Sequence, residues 1–590
     1  MTSFTRQNLS RLAVPIAGAA IIIAPLLMLF KFHYFYVDWA NNLWLIEYMK
    51  RYLLANHAFP SAINTQDGLV GMVNPMFYGY LYYPLMGMAA IVVGSARKAV
   101  ILTQLLQEGL IFSIYGGLFR GVFRRGQYHV QFLTLAFTAI VMWNTYLITK
   151  LYGDGGRGEY FAMLCLYLAI GSWIMALRTT SVHRLFYITL SMLNALLILG
   201  AHPITAEIGG ILYIVIVFVT IPGLIRTTVH KEGLLFYGGI LAAGMVASIL
   251  PWVRTVVDNA GSTYVSTDKI MWFTPTGLKG MLYRIALYPY SHKSIYHGRN
   301  AIAPYLCLQV NVPLLLICLA TLCMVLYYRK HFSRREKATN AGLLALAFLM
   351  YLFSSCSWIK SVTEKIFYSI QFEYRLITYV DLLVLAATVY QIYLLLKIRR
   401  TRMKKALLVI FAAALLMSAE NVFISESYAY ALGDFSQADL SSNVAPGSFY
   451  WRNDYANAGI AVIEMTERRM DVSLPLDENI LEPESVAFHC SANTVVDTNI
   501  SSSDYNSVYL DGSEIPKDQL FRKDADSYTY SFTVSEGGEH TLEYRSNASA
   551  RYVEARKMAV IFSAGMIILT LGLGIASVTA RKREQREMLI

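Results

Sequence analysis

Apolar stretches of about twenty residues recur along most of this chain. They lie near 12 to 30, 76 to 94, 99 to 118, 129 to 147, 160 to 177, 185 to 201, 204 to 222, 234 to 251, 303 to 327, 341 to 357, 376 to 396, 405 to 421 and 557 to 579. Runs of this length suit a hydrocarbon core about 30 Å thick. No water-soluble fold hides so many of them, because apolar residues make up 56% of the 590 and charged residues only 15%. The sequence therefore predicts a polytopic α-helical membrane protein with the lipid bilayer as its solvent. The net charge of +11 does not indicate nucleic acid. Its Lys and Arg residues sit in short clusters between apolar runs, the pattern of cytoplasmic loops.

The same clusters set a topology. Arg6 and Arg11 precede the first run, which is long and has no small-residue cleavage site after it, so it reads as an uncleaved first span. Arg120, Arg124 and Arg125, then Arg178 and Arg184, then Arg226 and Lys231 share their side only if the run from 76 to 94 does not cross. That run is preceded by Asn74 and Pro75 and carries Tyr78, Tyr80, Tyr82, Tyr83 and Pro84, the content of a re-entrant or juxtamembrane helix. About twelve spans remain, with both termini and the basic stretches 329–337, 397–405 and 581–586 in the cytoplasm. The expected division is a transmembrane module over 1–421, with a first outer loop at 31–98, an extracytoplasmic β-rich domain over 422–556, and a final anchor with a basic tail over 557–590.

The β-rich assignment rests on short alternating runs, Tyr528 to Val534 and His540 to Arg545, with turn signals at Asp511-Gly512 and Gly537-Gly538. Together they predict a small β-sandwich. Cys490 is alone in this part and has no partner there for a disulfide.

Ionisable residues near the ends of the runs are the candidates for chemistry. Asp38, between aromatic residues just beyond the first span, suits a general base or a metal ligand, or is a solvated loop aspartate. Asp154, Arg157 and Glu159 fall within six positions among glycines. They suit phosphate recognition, or form a flexible turn whose next helix opens with the usual acidic residue. His202 marks another outer turn, where a structural role is equally consistent, and Glu207 after it is expected to face a polar cavity. Glu108 and Asp381 are ionisable groups inside spans. Arg375, next to Glu373 before a late span, would hold a lipid phosphate or snorkel to the interface. The loop from Val253 to Ala301 is unusually basic, with Arg254, Lys269, Arg284, His292, Lys293, His297 and Arg299. No nucleotide, zinc or serine-hydrolase motif is present.

Taken in order, Asp38, the segment Asn74 to Pro84, Arg157 to Glu159, His202 and Gln371 to Arg375 resemble a bacterial membrane-protein family labelled as pyruvoyl-tetrahydropterin-synthase-related. The neighbouring YfhO family is similar, and its C-terminus resembles the β-rich domain with its last span. Both are of the GT-C glycosyltransferase type. The family pattern has Pro-Trp where this chain has Glu373 and Tyr374. The resemblance implies a GT-C-like bundle that transfers a sugar from a polyprenyl-phosphate donor to an envelope polymer or glycan acceptor, outside the bacterial cytoplasmic membrane. It implies Asp38 as base and Glu159 as second carboxylate, the latter orienting the acceptor or holding a divalent metal, magnesium or manganese. Arg157 and Arg375 would bind the donor phosphate, with Asp154, His202 and Arg284 alongside. A lipid-linked glycan transporter or flippase and a non-catalytic envelope assembly protein are the competing readings.

Overall fold

The computed structural model describes residues 3–31, 37–60, 62–64, 70–71, 79–124, 129–154, 156–228, 231–258, 276–285, 309–367, 370, 372–398, 401–440, 469–477, 481–502, 505–522, 529–546 and 550–587. Among these, 10 helices are long and apolar enough to cross a membrane. The chain is thus a multi-pass helical membrane protein. The helices are Ala13–Lys31, Ala96–Phe123, Arg157–Arg178, Ser181–Ala201, Pro203–Arg226, Lys231–Leu250, Arg334–Ser355, Glu373–Leu396, Met403–Glu426 and Tyr552–Glu584.

Three of the expected runs take other forms. The run near 129 to 147 is a broken pair, Val130–Met142 and Thr145–Tyr152, bent by 45°. At the break the Asn144 side chain accepts from Tyr146 N at 2.8 Å and caps the second piece, so the helix restarts in a new direction. The run near 303 to 327 is described as Val312–Tyr327, a helix of 16 residues. The run near 76 to 94 yields Tyr82–Val93, with 12 residues. At 1.5 Å per residue it is about 18 Å long, short of the hydrocarbon thickness.

A helix within the expected first outer loop runs from Val37 to Asn56. Trp39, Leu43, Ile46 and Met49 fall on one helical face and are all buried, which is the spacing of an amphipathic helix. It packs closely on Tyr82–Val93. A Cβ at Gly87 would lie 2.8 Å from Met49 Cβ, so only glycine permits this approach.

The β-rich part forms two four-stranded sheets, ordered β1-β3-β7-β6 and β2-β8-β4-β5. The strands are β1 Arg469–Val472, β2 Val486–Cys490, β3 Thr494–Ser501, β4 Asn506–Leu510, β5 Ser513–Glu514, β6 Phe521–Arg522, β7 Thr529–Val534 and β8 Gly538–Ser546. Asp511 and Gly512, with φ of 50° and 77°, form the turn between β4 and β5, as Asp-Gly does in two-residue hairpins. Val496, Phe532 and Val534 of one sheet share an apolar cluster with Phe488, Val508 and Leu542 of the other.

Val70, from the segment before Tyr82, belongs to this same cluster. Its N–H donates to Asn499 O at 2.9 Å and its carbonyl accepts from Ser501 N at 2.8 Å, so it pairs beside Ile500 beyond the end of β1. Asn506 Nδ2 donates to Gly71 O at 2.8 Å. Tyr52 bonds Glu482, Asn64 Nδ2 donates to Leu481 O at 3.1 Å, and Arg556 donates to Pro60 O. The sheets are thereby built partly from the segment that follows the helix Val37–Asn56.

At the surface of the second sheet, His540 Nδ1 lies 2.7 Å from Asp511 Oδ2. The Asp511 carboxylate raises the His540 pKa above its ordinary value near 6.5, and His540 with Thr541 N–H lowers that of Asp511 below 3.8. The histidine contribution is complete below its unfolded pKa and is lost as pH rises through the raised one. The aspartate contribution is complete above its unfolded pKa and is lost as pH falls through the lowered one. The pair therefore stabilises most between about pH 4 and 6.5, by about 0.2–1 kcal/mol because Asp511 is half exposed. Hydrogen exchange around Thr541, corrected for intrinsic rate, should accelerate above pH 6.5 in the wild type. In His540→Gln it should be flat.

Candidate functional site

The turn between the broken helix and Arg157–Arg178 brings separated charges together. Lys150 opens a π-helical turn, Lys150–Asp154, and Glu159 lies in the first turn of the following helix. Folding back places Lys150 Nζ 3.0 Å from Glu159 Oε2, with the two side chains 0% and 2% exposed. Arg375 comes from elsewhere, on the 3-10 turn Glu373–Leu376 that leads into Ile377–Leu396. Its Nε is 3.4 Å from the same Glu159 oxygen, so one carboxylate faces two cations. The Tyr374 ring lies 4.5 Å from Lys150 Nζ and adds a cation–π contact. Glu159 Oε1 meets no hydrogen-bond partner among the described residues.

Arg157, two positions before Glu159, is also buried. Its guanidinium lies 4.0 Å from the Trp39 ring centroid, and Nη2 donates to Gln104 Oε1 at 2.7 Å. Trp39 is itself fixed, since its indole N–H donates to Leu151 O at 2.7 Å. The network runs on from Gln104 Nε2 to Tyr160 Oη at 3.2 Å, and from Tyr160 Oη to Glu108 Oε1 at 3.0 Å. Arg157 Nε and Nη1 have no hydrogen-bond partner among the described residues. Donors left buried in this way cost about 1–3 kcal/mol each when nothing accepts from them. Phosphate and carboxylate oxygens are the natural acceptors for such a planar fork.

Arg284 meets Glu373. Arg284 Nη2 donates to Glu373 Oε1 at 2.6 Å and both side chains are 0% exposed. Because Glu373 starts the turn carrying Arg375, this pair ties the helix Leu278–Arg284 to the Arg375 position. His202 also has a local role: its Nδ1 accepts from Thr205 N at 3.0 Å and caps Pro203–Arg226. Tyr379 then donates to Thr205 O at 3.0 Å. Asp381 accepts from Asn144 Nδ2 at 2.7 Å and Asn311 N at 2.8 Å, joining two helix starts. Glu207 is exposed.

Asp38 lies at the second position of Val37–Asn56, and Asp154 ends the π-helical turn. Their side chains lie outside the described residues, as do those of Arg254, Lys269, His292, Lys293, His297 and Arg299, and so does the segment 72–78. The chain neighbour of Asp38 is Trp39, the residue stacked on Arg157. Among the described residues no three His, Cys, Asp or Glu side chains converge as a metal site.

Of the residues singled out in the sequence, Glu159 and Arg375 meet, while Arg157, two positions before Glu159, packs on Trp39. Lys150 was not among them, although it stands at the head of the same Gly-rich stretch. Neither was Glu426, whose Oε1 lies 3.0 Å from Tyr152 Oη and whose Oε2 accepts from Met28 N at 3.0 Å. The usable signal for both was an ionisable side chain at the border of an apolar run. Comparison with protein families, curated proteins and solved structures finds no match to this chain.

Proposed function

We propose that this protein is a GT-C-type glycosyltransferase of the bacterial cytoplasmic membrane. It would move a sugar from a polyprenyl-phosphate carrier to a cell-envelope acceptor on the outer face. The observation that carries this reading is the approach of Lys150 and Arg375 to the Glu159 carboxylate, with Arg157 buried against Trp39 two positions earlier on the same helix. Buried Arg157 N–H groups with no acceptor among the described residues suit an anionic ligand. The distribution of basic loops supports a topology with both termini in the cytoplasm and this end of the bundle outside. The two sheets then form an outer sandwich that presents or selects the acceptor.

In the proposed step the acceptor hydroxyl oxygen attacks the anomeric carbon. The bond from that carbon to the phosphate oxygen breaks, and its electron pair stays on the departing polyprenyl phosphate. Asp38 takes the hydroxyl proton. Arg157, Lys150 and Arg375 neutralise the growing phosphate charge, while Glu159 keeps the cations in place.

Purified protein in vesicles, given a radiolabelled polyprenyl-phosphate hexose and an envelope extract as acceptor, should move label to the acceptor. Asp38→Asn should slow transfer by at least about 100-fold, the usual contribution of a general base. Unchanged transfer removes Asp38 from the mechanism. Label that crosses the bilayer without transfer replaces the transferase reading with that of a transporter.

A further inference from the structure

Two helices interlock at the Arg157 side chain. Gln104 and Glu108 stand four positions apart on Ala96–Phe123 and so share a face, while Arg157 and Tyr160 stand three apart on Arg157–Arg178. All four side chains are buried. The chemistry of the arginine fixes every proton between them. A guanidinium only donates, so the Gln104 atom that meets Arg157 Nη2 at 2.7 Å is the carbonyl oxygen. Gln104 then turns its NH2 to Tyr160 Oη at 3.2 Å. The tyrosine oxygen accepts there, and its one hydrogen goes to Glu108 Oε1 at 3.0 Å. The chain runs in a single direction from Arg157 and ends on an acceptor.

We propose that Glu108 is a positioning residue for Arg157. By accepting the Tyr160 proton it holds the Gln104 carbonyl toward the guanidinium, and its role in phosphate recognition rests on the reading of Arg157 given above. An apolar side chain at 108 would free the Tyr160 hydroxyl to donate to Gln104 instead. Gln104 would then turn its NH2 to Arg157, donor against donor. With Nη2 held by Gln104 and the Trp39 ring centroid 4.0 Å from the guanidinium, Nε and Nη1 are left for the oxygens of an anion, having no hydrogen-bond partner among the described residues. A carboxylate in place of Gln104 would also hold the arginine, but it would neutralise the charge that a phosphate needs. The amide orients without neutralising. This gives a reason for an ionisable group inside a span, where it is costly.

Two measurements on the full-length protein in detergent test the proposal. The first needs no ligand and compares thermal-unfolding midpoints of Glu108→Leu, Arg157→Met and the double variant. The losses should not add, and the double variant should be more stable than their sum predicts, because the two residues are linked through Gln104 and Tyr160. In a Tyr160→Phe background the same losses should add. The second is equilibrium binding of a short-chain polyprenyl phosphate. Glu108→Leu should weaken it by at least about tenfold, while Glu108→Gln, whose carbonyl accepts the same proton, should stay within about threefold of wild type. Tyr160→Phe breaks the same chain and replaces Glu108→Leu in this comparison if the latter does not fold. Additive losses with Tyr160 present overturn the proposal, and so does Glu108→Gln binding as weakly as Glu108→Leu. Coupled losses in a wild type that binds no polyprenyl phosphate would support the positioning of Arg157 and remove the phosphate reading instead.

Discussion

Glu159→Gln is expected to lower stability by about 3–5 kcal/mol, the usual cost of removing one member of a buried ion pair. The substitution keeps the shape of the side chain and removes its charge. Lys150 is then left at 0% exposure without its carboxylate, and Arg375 loses the same partner. Lys150 is fully buried, and the Tyr374 ring supplies only about 0.5–2 kcal/mol to a cation. Cys165 offers a direct readout, because it is fully buried on the helix that carries Glu159. Thiol labelling of Cys165 during heating should begin at a clearly lower temperature in Glu159→Gln than in wild type. Adding Lys150→Met should restore part of the difference, since it removes one uncompensated charge. An unchanged labelling temperature would mean that water or ions already reach the cluster and screen it.

Glu373→Gln is expected to cost a similar amount, about 3–5 kcal/mol, through a different pair. Arg284 and Glu373 are both 0% exposed and 2.6 Å apart, so losing the carboxylate strands a guanidinium. In a double-mutant cycle, Arg284→Met combined with Glu373→Gln should be more stable than the sum of the single losses predicts, because neither charge then remains unpaired. The same cycle separates positioning from binding. If the pair positions the turn bearing Arg375, the double variant should bind a lipid phosphate more weakly even where its stability is recovered. Thermal unfolding supplies the first comparison and equilibrium binding the second. Strictly additive losses would show that the pair is not coupled.

Much of the helical membrane architecture was legible because apolar run length acts over short stretches of sequence. The same holds for β7 and β8, whose residues alternate at period two, and for Asp511-Gly512, whose backbone requirement is local. The helix Val37–Asn56 was hidden for a physical reason. Asn41, Asn42, Glu47, Lys50 and Arg51 interrupt its hydropathy, so it reads as polar loop unless the buried spacing of Trp39, Leu43, Ile46 and Met49 is weighed.

The site was legible in part. Asp154, Arg157 and Glu159 drew notice as a dense charged turn. Lys150 did not, because its approach to Glu159 depends on the π-helical turn between them. Glu373 was visible as a charge but its partner Arg284 is 89 positions away. Val70 gave no sign that it completes a sheet made by residues more than four hundred positions later. Such pairings are decided by tertiary packing, for which a single sequence carries no local signal.

The account turns on Arg157 as a donor to phosphate, because its Nε and Nη1 are buried and await an acceptor among the described residues. The most direct measurement is equilibrium binding of a short-chain polyprenyl phosphate to purified wild type and Arg157→Gln in the same detergent, with the Cys165 labelling temperature as a check on folding. The predicted result is a loss of affinity of about tenfold or more, as for a charge-assisted hydrogen bond worth about 1.5–3 kcal/mol, with folding retained. Equal affinity in the folded variant would contradict the claim that this cluster receives the lipid phosphate.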